Sequence, residues 1–162
     1  NLKIDGEYYT KYECDSKFVT KSSNMTITHY APIDDGEIDE FIVGKPVFMS
    51  GYVYKQDGDE WIESTVDDRS DCICSVKSSG SWKEFVGVIV SVDADNECLT
   101  FATHGDALFR VDDTSKYNIG DTVLYDGTVV DEDTPLTNKI QRSTVGVVSG
   151  KIDENTLAVF KQ

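Results

Sequence analysis

Two stretches of the chain share one pattern, and this pattern decides the fold: FIVGKPVFMSGYV at Phe41–Val53 and YNIGDTVLYDGTV at Tyr117–Val129. They align without gaps on an aromatic residue, an aliphatic-Gly pair, a Val-apolar pair and a final Gly-x-Val. Gly44 and Gly120 are predicted to form equivalent turns just before a strand, because glycine adopts backbone conformations that other residues resist. A repeat of this length indicates an internal duplication.

A second similarity follows each of these stretches. Phe85–Phe101 and Thr144–Phe160 both contain Val-Gly-Val, an acidic turn and a further apolar strand. Gly87 and Gly146 stand inside the predicted strands, where glycine usually marks a bulge or a sharp bend. We therefore predict two β units, residues 41–102 and 103–162, packed as one domain. Because each unit is short for a domain that closes its own core, we expect both to share one pseudo-symmetric barrel.

Apolar runs elsewhere are short, rich in β-branched and aromatic residues, and separated by Gly, Asp, Asn and Ser. This spacing predicts an all-β fold, a small barrel or sandwich with an internal duplication and an N-terminal arm. Alternate apolar positions of the strands give the predicted core. The predicted core residues are Val47, Val53, Val88, Val90, Leu99, Phe101, Val123, Val129, Val147, Ile152, Leu157 and Val159.

Residues 1–40 lie outside both repeats and are interpreted as an N-terminal arm with an acidic loop. The segment is polar, and it places Tyr8, Tyr9 and Tyr12 close together. Extended arms can tie neighbouring subunits through backbone hydrogen bonds. We expect the three tyrosines to act as rigid assembly anchors.

The chain carries 30 acidic and 15 basic residues, a formal net charge of −15. Phosphates and anionic headgroups would be repelled, so we predict neither nucleic acid nor a membrane as a partner. Apolar runs also stay short of the roughly 18 residues that a membrane-spanning helix needs.

Few residues suggest chemistry. One group combines a nucleophile with a base: Thr103, His104 and Asp106. Neighbouring residues on one turn rarely converge as a catalytic triad. A hydrolase or self-processing peptidase is therefore a remote alternative. Cys72 and Cys74 would share one face of a strand, but a zinc site needs a second close pair, and buried free thiols are the favoured interpretation.

No cofactor is predicted. The turn that contains Asp93 and Asp95 is the best candidate for Ca²⁺, but it lacks the glycine and distal glutamate of an EF-hand loop. A solvated acidic turn is the preferred interpretation. Aromatic residues near carboxylates could instead serve a carbohydrate-binding β module. These aromatic residues are Trp61, Trp82, Tyr52, Tyr54, Tyr8 and Tyr9.

Three short motifs follow one another between Phe101 and Asp121: Thr-His-Gly-Asp, Val-Asp-Asp and Tyr-x-x-Gly-Asp. A hairpin that contains Gly-Val-Val comes after them. This pattern resembles small β-barrel domains in structural proteins of double-stranded DNA viruses, such as tailed-phage head-decoration and fibre proteins and minor capsid or vertex proteins of large DNA viruses. The resemblance covers about residues 85–162. It implies a non-enzymatic virion protein, a capsid-associated, vertex, fibre or tail component, that forms oligomers with itself and with other capsid proteins. It transfers no catalytic residue.

Overall fold

The computed structural model describes residues 26–64 and 73–162. This part of the chain forms one mixed β-sheet of nine strands, so the predicted all-β class is confirmed. The strands are β1 (Ile27–Asp35), β2 (Pro46–Asp57), β3 (Glu60–Glu63), β4 (Ile73–Lys77), β5 (Phe85–Asp93), β6 (Cys98–Arg110), β7 (Thr122–Leu124), β8 (Thr144–Asp153) and β9 (Thr156–Lys161). Two 3₁₀ turns, Ile38–Glu40 and Thr114–Lys116, and one short helix, α1 (Asn138–Ser143), complete the described elements. No helix among them is long and apolar enough to cross a membrane.

The first five neighbouring strands close on themselves. β1 pairs with β4 in parallel, β4 with β2, β2 with β5, β5 with β6, and β6 again with β1. β3 extends β2 as a hairpin outside this ring. The remaining strands continue from β6 in the order β9, β8 and β7. The fold is therefore one closed barrel joined to a second, open one.

A single long strand connects the two. The first part of β6, Cys98–His104, pairs with β5 and β1, and its last part, Gly105–Arg110, pairs with β9. Gly105 stands at the change of partner and has φ +88°. The sequence predicts two strands here with a turn between them, but the backbone runs through without a break.

The two units have the same backbone plan, which confirms the duplication. Gly44 and Gly120 have φ +93° and +96° in the turns before β2 and β7. Gly44 N donates to Ile89 O at 2.9 Å, and Gly120 N donates to Val148 O at 2.8 Å. A 3₁₀ turn precedes each of these glycines at the same distance along the chain.

Gly87 and Gly146 lie at equivalent bulges, as predicted. Gly87 faces Val47 while the next β2 residue faces Phe85, so β5 carries one extra residue. The same shift occurs opposite Gly146 in β8. A Cβ on Gly87 would stand 2.3 Å from Ala102 O, and one on Gly146 would stand 2.7 Å from Phe160 O. Both glycines therefore allow a neighbouring strand to approach closely.

The buried residues form two separate clusters, and the closed ring consists of β1, β4, β2, β5 and the first part of β6, so the expectation of one barrel shared by both units is wrong. The buried residues of the first core are Ala31, Phe41, Val47, Val76, Ile89, Leu99 and Phe101. Those of the second are Phe48, Phe85, Val88, Phe109, Tyr117, Val123, Val145, Val148, Leu157 and Val159. Phe48, Phe85 and Val88 come from the first unit, and they cover the second core because β2 and β5 present their two faces to different cores.

Seven of the predicted core positions are buried: Val47, Val88, Leu99, Phe101, Val123, Leu157 and Val159. Val53 is half-buried. Four predictions are wrong, since Val90, Val129, Val147 and Ile152 are exposed. In β8 the bulge at Gly146 shifts the alternation, so Val145 and Val148 point inward and Val147 does not. In β5, Val88 and Ile89 face opposite sides and enter different cores, while Val90 is an extra residue at a second bulge opposite β6.

The predicted C-terminal boundary of the arm, residue 40, is wrong, because residues 27–35 form strand β1. β1 is an integral strand of the first barrel, where Ala31 opposes Leu99 just as Phe109 opposes Leu157 in the second unit. The first unit therefore begins near residue 27 and not at 41. The turn signals that mark each repeat lie after β1, so the repeat pattern does not include this strand.

We expect Gly87→Ala to destabilise the protein by about 1–3 kcal/mol or more, because its Cβ would meet a backbone carbonyl that cannot move alone. Gly150→Ala is the matched control, since its Cβ would meet only the Ala158 side chain, at 3.7 Å. Urea unfolding of both variants measures the difference. Equal free energies of unfolding in the two variants would contradict the close approach of β5 and β6.

Leu99→Ala and Leu157→Ala remove equivalent buried side chains from the two cores, and each should lower the free energy of unfolding by about 2–5 kcal/mol. Because β6 belongs to both units, we expect a single cooperative transition in each variant. Tryptophan fluorescence and far-UV circular dichroism should give the same urea midpoint. A second transition in Leu157→Ala would show instead that the two barrels unfold independently.

Candidate assembly surface

The residues considered for catalysis do not converge. Thr103 and His104 lie within β6 and not on a turn, and Thr103 Oγ1 is 3.0 Å from His104 Nδ1. Thr103 Oγ1 also lies 3.4 Å from Ile27 O, to which it donates. The structure shows no hydrogen bond between His104 and Asp106, whose backbone carbonyl accepts from Thr26. The three residues therefore lack the geometry of a triad.

In the turn considered for calcium, the first carboxylate, that of Asp93, accepts hydrogen bonds from within the turn. Asp93 accepts hydrogen bonds from the backbone and the side-chain amide of Asn96, at 3.3 and 2.8 Å, and so orders the turn between β5 and β6. Within residues 26–64 and 73–162, no three His, Cys, Asp or Glu side chains are close enough to hold a metal ion. Cys72 lies outside these residues, Cys74 is exposed and Cys98 is buried.

The aromatic candidates separate into two places. Tyr52, Tyr54 and Trp61 belong to the hairpin formed by β2 and β3. Trp82 lies elsewhere, beside the cations of Lys83 and Arg142. The predicted anchors Tyr8, Tyr9 and Tyr12 fall outside the described residues.

An apolar groove lies where the two barrels meet, along the last part of β6. Its volume is about 560 Å³. Val43, Val90 and Leu108 line it, and each of these side chains is more than 40% exposed. Three large aliphatic side chains that face water in one groove make this groove a candidate surface for binding another chain.

The backbone of β6 has a free edge in this groove. Arg110 N donates to Gly44 O at 2.9 Å, and Thr26 Oγ1 donates to Asp106 O at 3.1 Å. In an antiparallel strand, the N–H and C=O of one residue point to the same side, and alternate residues share that side. Leu108 therefore directs its N–H and C=O away from β9, into the groove, where no described residue pairs with them.

The second barrel leaves this edge open because it has no equivalent of β4. In the first unit, β4 lies between β2 and β1 and closes the ring. In the second unit, residues 128–130 lie beside β7, where Leu124 N donates to Thr128 O and Val130 N donates to Thr122 O, both at 2.9 Å. No described strand joins β7 to β6.

The sequence does not predict this groove, because Val43 and Leu108 fit ordinary turn and strand patterns and the alternation places Val90 in the core. The one local signal is the aliphatic residue before the turn glycine of each repeat, Val43 in the first copy and Ile119 in the second. Exposure of such a residue depends on what packs over the turn, and local sequence does not contain that information.

No protein-family model, no curated protein and no solved structure matches this chain. The resemblance to β-barrel domains of virus particles therefore stays a prediction based on residues 85–162.

Proposed function

We propose that this chain is a non-enzymatic structural protein of virus particles and that it acts by assembling with copies of itself and with other capsid proteins. The observation that supports this role is the free edge at Leu108 within an apolar groove. A strand that enters the groove would gain backbone hydrogen bonds from the edge and apolar contacts from Val43 and Val90. The resemblance of residues 85–162 to virion β-barrel domains favours the same role.

The N-terminal 25 residues of a neighbouring copy are the proposed occupant. In each chain this segment joins the described fold at Thr26, which itself lines the groove and bonds to its edge. Exchange of such segments between copies would place many equivalent contacts at subunit boundaries. Tyr8, Tyr9 and Tyr12 would provide rigid aromatic contacts at low cost in side-chain entropy.

The net charge of −15 fits a position on the outside of the particle. An acidic surface repels the phosphates of the packaged genome, which limits unwanted contact with it. The same charge makes neighbouring copies repel each other, so assembly through the groove should strengthen as salt screens this repulsion.

Val43→Asp tests the proposal because it places a charge in the groove without touching either core. Ile119→Asp is the matched control: Ile119 occupies the same turn position in the second unit, is 63% exposed and lies outside the groove. We expect sedimentation equilibrium to show self-association for the unaltered chain and for Ile119→Asp, and to show loss of association for Val43→Asp.

A strictly monomeric unaltered chain, at all concentrations and salt levels tested, would contradict self-assembly. Dissociation by Ile119→Asp as well would show that general charge repulsion, not the groove, controls association. If Val43→Asp lowers the unfolding midpoint and leaves association unchanged, the groove is filled by the chain's own residues.

A further inference from the structure

A second surface carries four aromatic residues on one side of the first barrel. Residues of a strand alternate between its faces, so Tyr52 and Tyr54 share one face of β2. Tyr54 opposes Glu63 and Gln56 opposes Trp61, which places Trp61 on that same face of the hairpin. Tyr30 of β1 joins them, with its ring centroid 5.9 Å from that of Trp61. We call this surface the aromatic face.

Two rings of the aromatic face are half-buried and held by hydrogen bonds, and the other two are exposed. Trp61 Nε1 donates to Asn96 O at 3.1 Å, and the Tyr54 hydroxyl donates to Asp34 Oδ1. Tyr30 is 45% exposed and Tyr52 is 51% exposed. Fixed rings lose little conformational entropy when a ligand stacks on them.

Carboxylates surround these rings. Asp34 bonds Tyr54 through one oxygen, and its Oδ2 has no partner among the described residues. Hydrogen bonding to Asp34, followed by burial and the charges of Asp34 and Glu63, raises the pKa of Tyr54 to about 12. Hydrogen bonding with Cys98, followed by burial and a contribution from Asp93, raises the pKa of Tyr30 to about 12. The face therefore lies in a negative electrostatic potential.

Trp82, the other tryptophan of the chain, has cationic neighbours that Trp61 lacks among the described residues. Lys83 Nζ lies 5.7 Å and Arg142 Cζ lies 5.5 Å from the Trp82 ring centroid, which is the geometry of cation–π contacts. Within residues 26–64 and 73–162, no cation lies over Trp61 or Tyr30. Lys55, the nearest base along β2, points to the opposite side of the strand from Tyr54.

We propose that the aromatic face binds an arginine- or lysine-containing segment of a partner protein. The cationic side chain would stack on Tyr30 and Trp61 and would be neutralised by Asp34, Glu63 and Asp93. Charge complementarity supports this partner, because exposed rings and the carboxylates of Asp34, Glu63 and Asp93 converge on one surface of a chain of net charge −15. The aromatic face shares no lining residue with the groove, so the two proposals stand independently.

Isothermal titration of the full chain with a blocked tetra-arginine peptide tests this binding. We expect Asp34→Asn combined with Glu63→Gln to weaken binding about fivefold or more, because it removes two charges beside the rings and keeps their shape. Asp131→Asn combined with Glu132→Gln is the matched control, since it removes the same charges from an exposed loop. This control should change the affinity less than about twofold.

Two further measurements identify the ligand class. Trp61→Leu should abolish binding while Trp82→Leu should retain it, and added salt should weaken binding to the unaltered chain. Equal losses in the two charge variants would overturn the proposal, because they would show diffuse attraction to an acidic protein. Undetectable peptide binding together with binding of maltohexaose, a neutral saccharide, would also overturn it and identify a carbohydrate surface instead.

Discussion

Strand β6 connects the two halves of the fold, because its thirteen residues are divided between the two barrels. Its first part closes the ring of the first barrel through β5 and β1, and its last part begins the second barrel through β9. Gly105 allows the strand to change partners without ending, since it adopts φ +88°. Neither core can form fully without β6, so the fold of each unit constrains the other.

The two units share a backbone plan and differ in how far they close. Both have the left-handed glycine before a strand and the bulge at a second glycine, and both pack equivalent residues around a separate core. Only the first unit has a strand in the position of β4. The second unit consequently leaves the edge of β6 unpaired near Leu108, and this difference between the copies creates the proposed assembly surface.

The two proposed binding surfaces use different physical forces. The groove offers backbone hydrogen bonds and apolar contacts, and it requires an extended chain. The aromatic face offers ring faces in a negative potential, and it requires a cation. Under the two proposals, the groove would select its partner by shape and the aromatic face would select its partner by charge.

The β class, the duplication, the glycine turns before β2 and β7 and the two glycine bulges can be predicted from the sequence. These features depend on backbone conformation at single residues: Gly44 and Gly120 need a positive φ, and Gly87 and Gly146 tolerate a neighbouring strand that a Cβ would exclude. Three features emerge only when the chain is folded: the buried residues divide into two clusters, β1 belongs to the first barrel and Val90 faces water. Those outcomes depend on which distant strand fills each edge and covers each face, because alternation along a strand defines two faces without stating which one is buried.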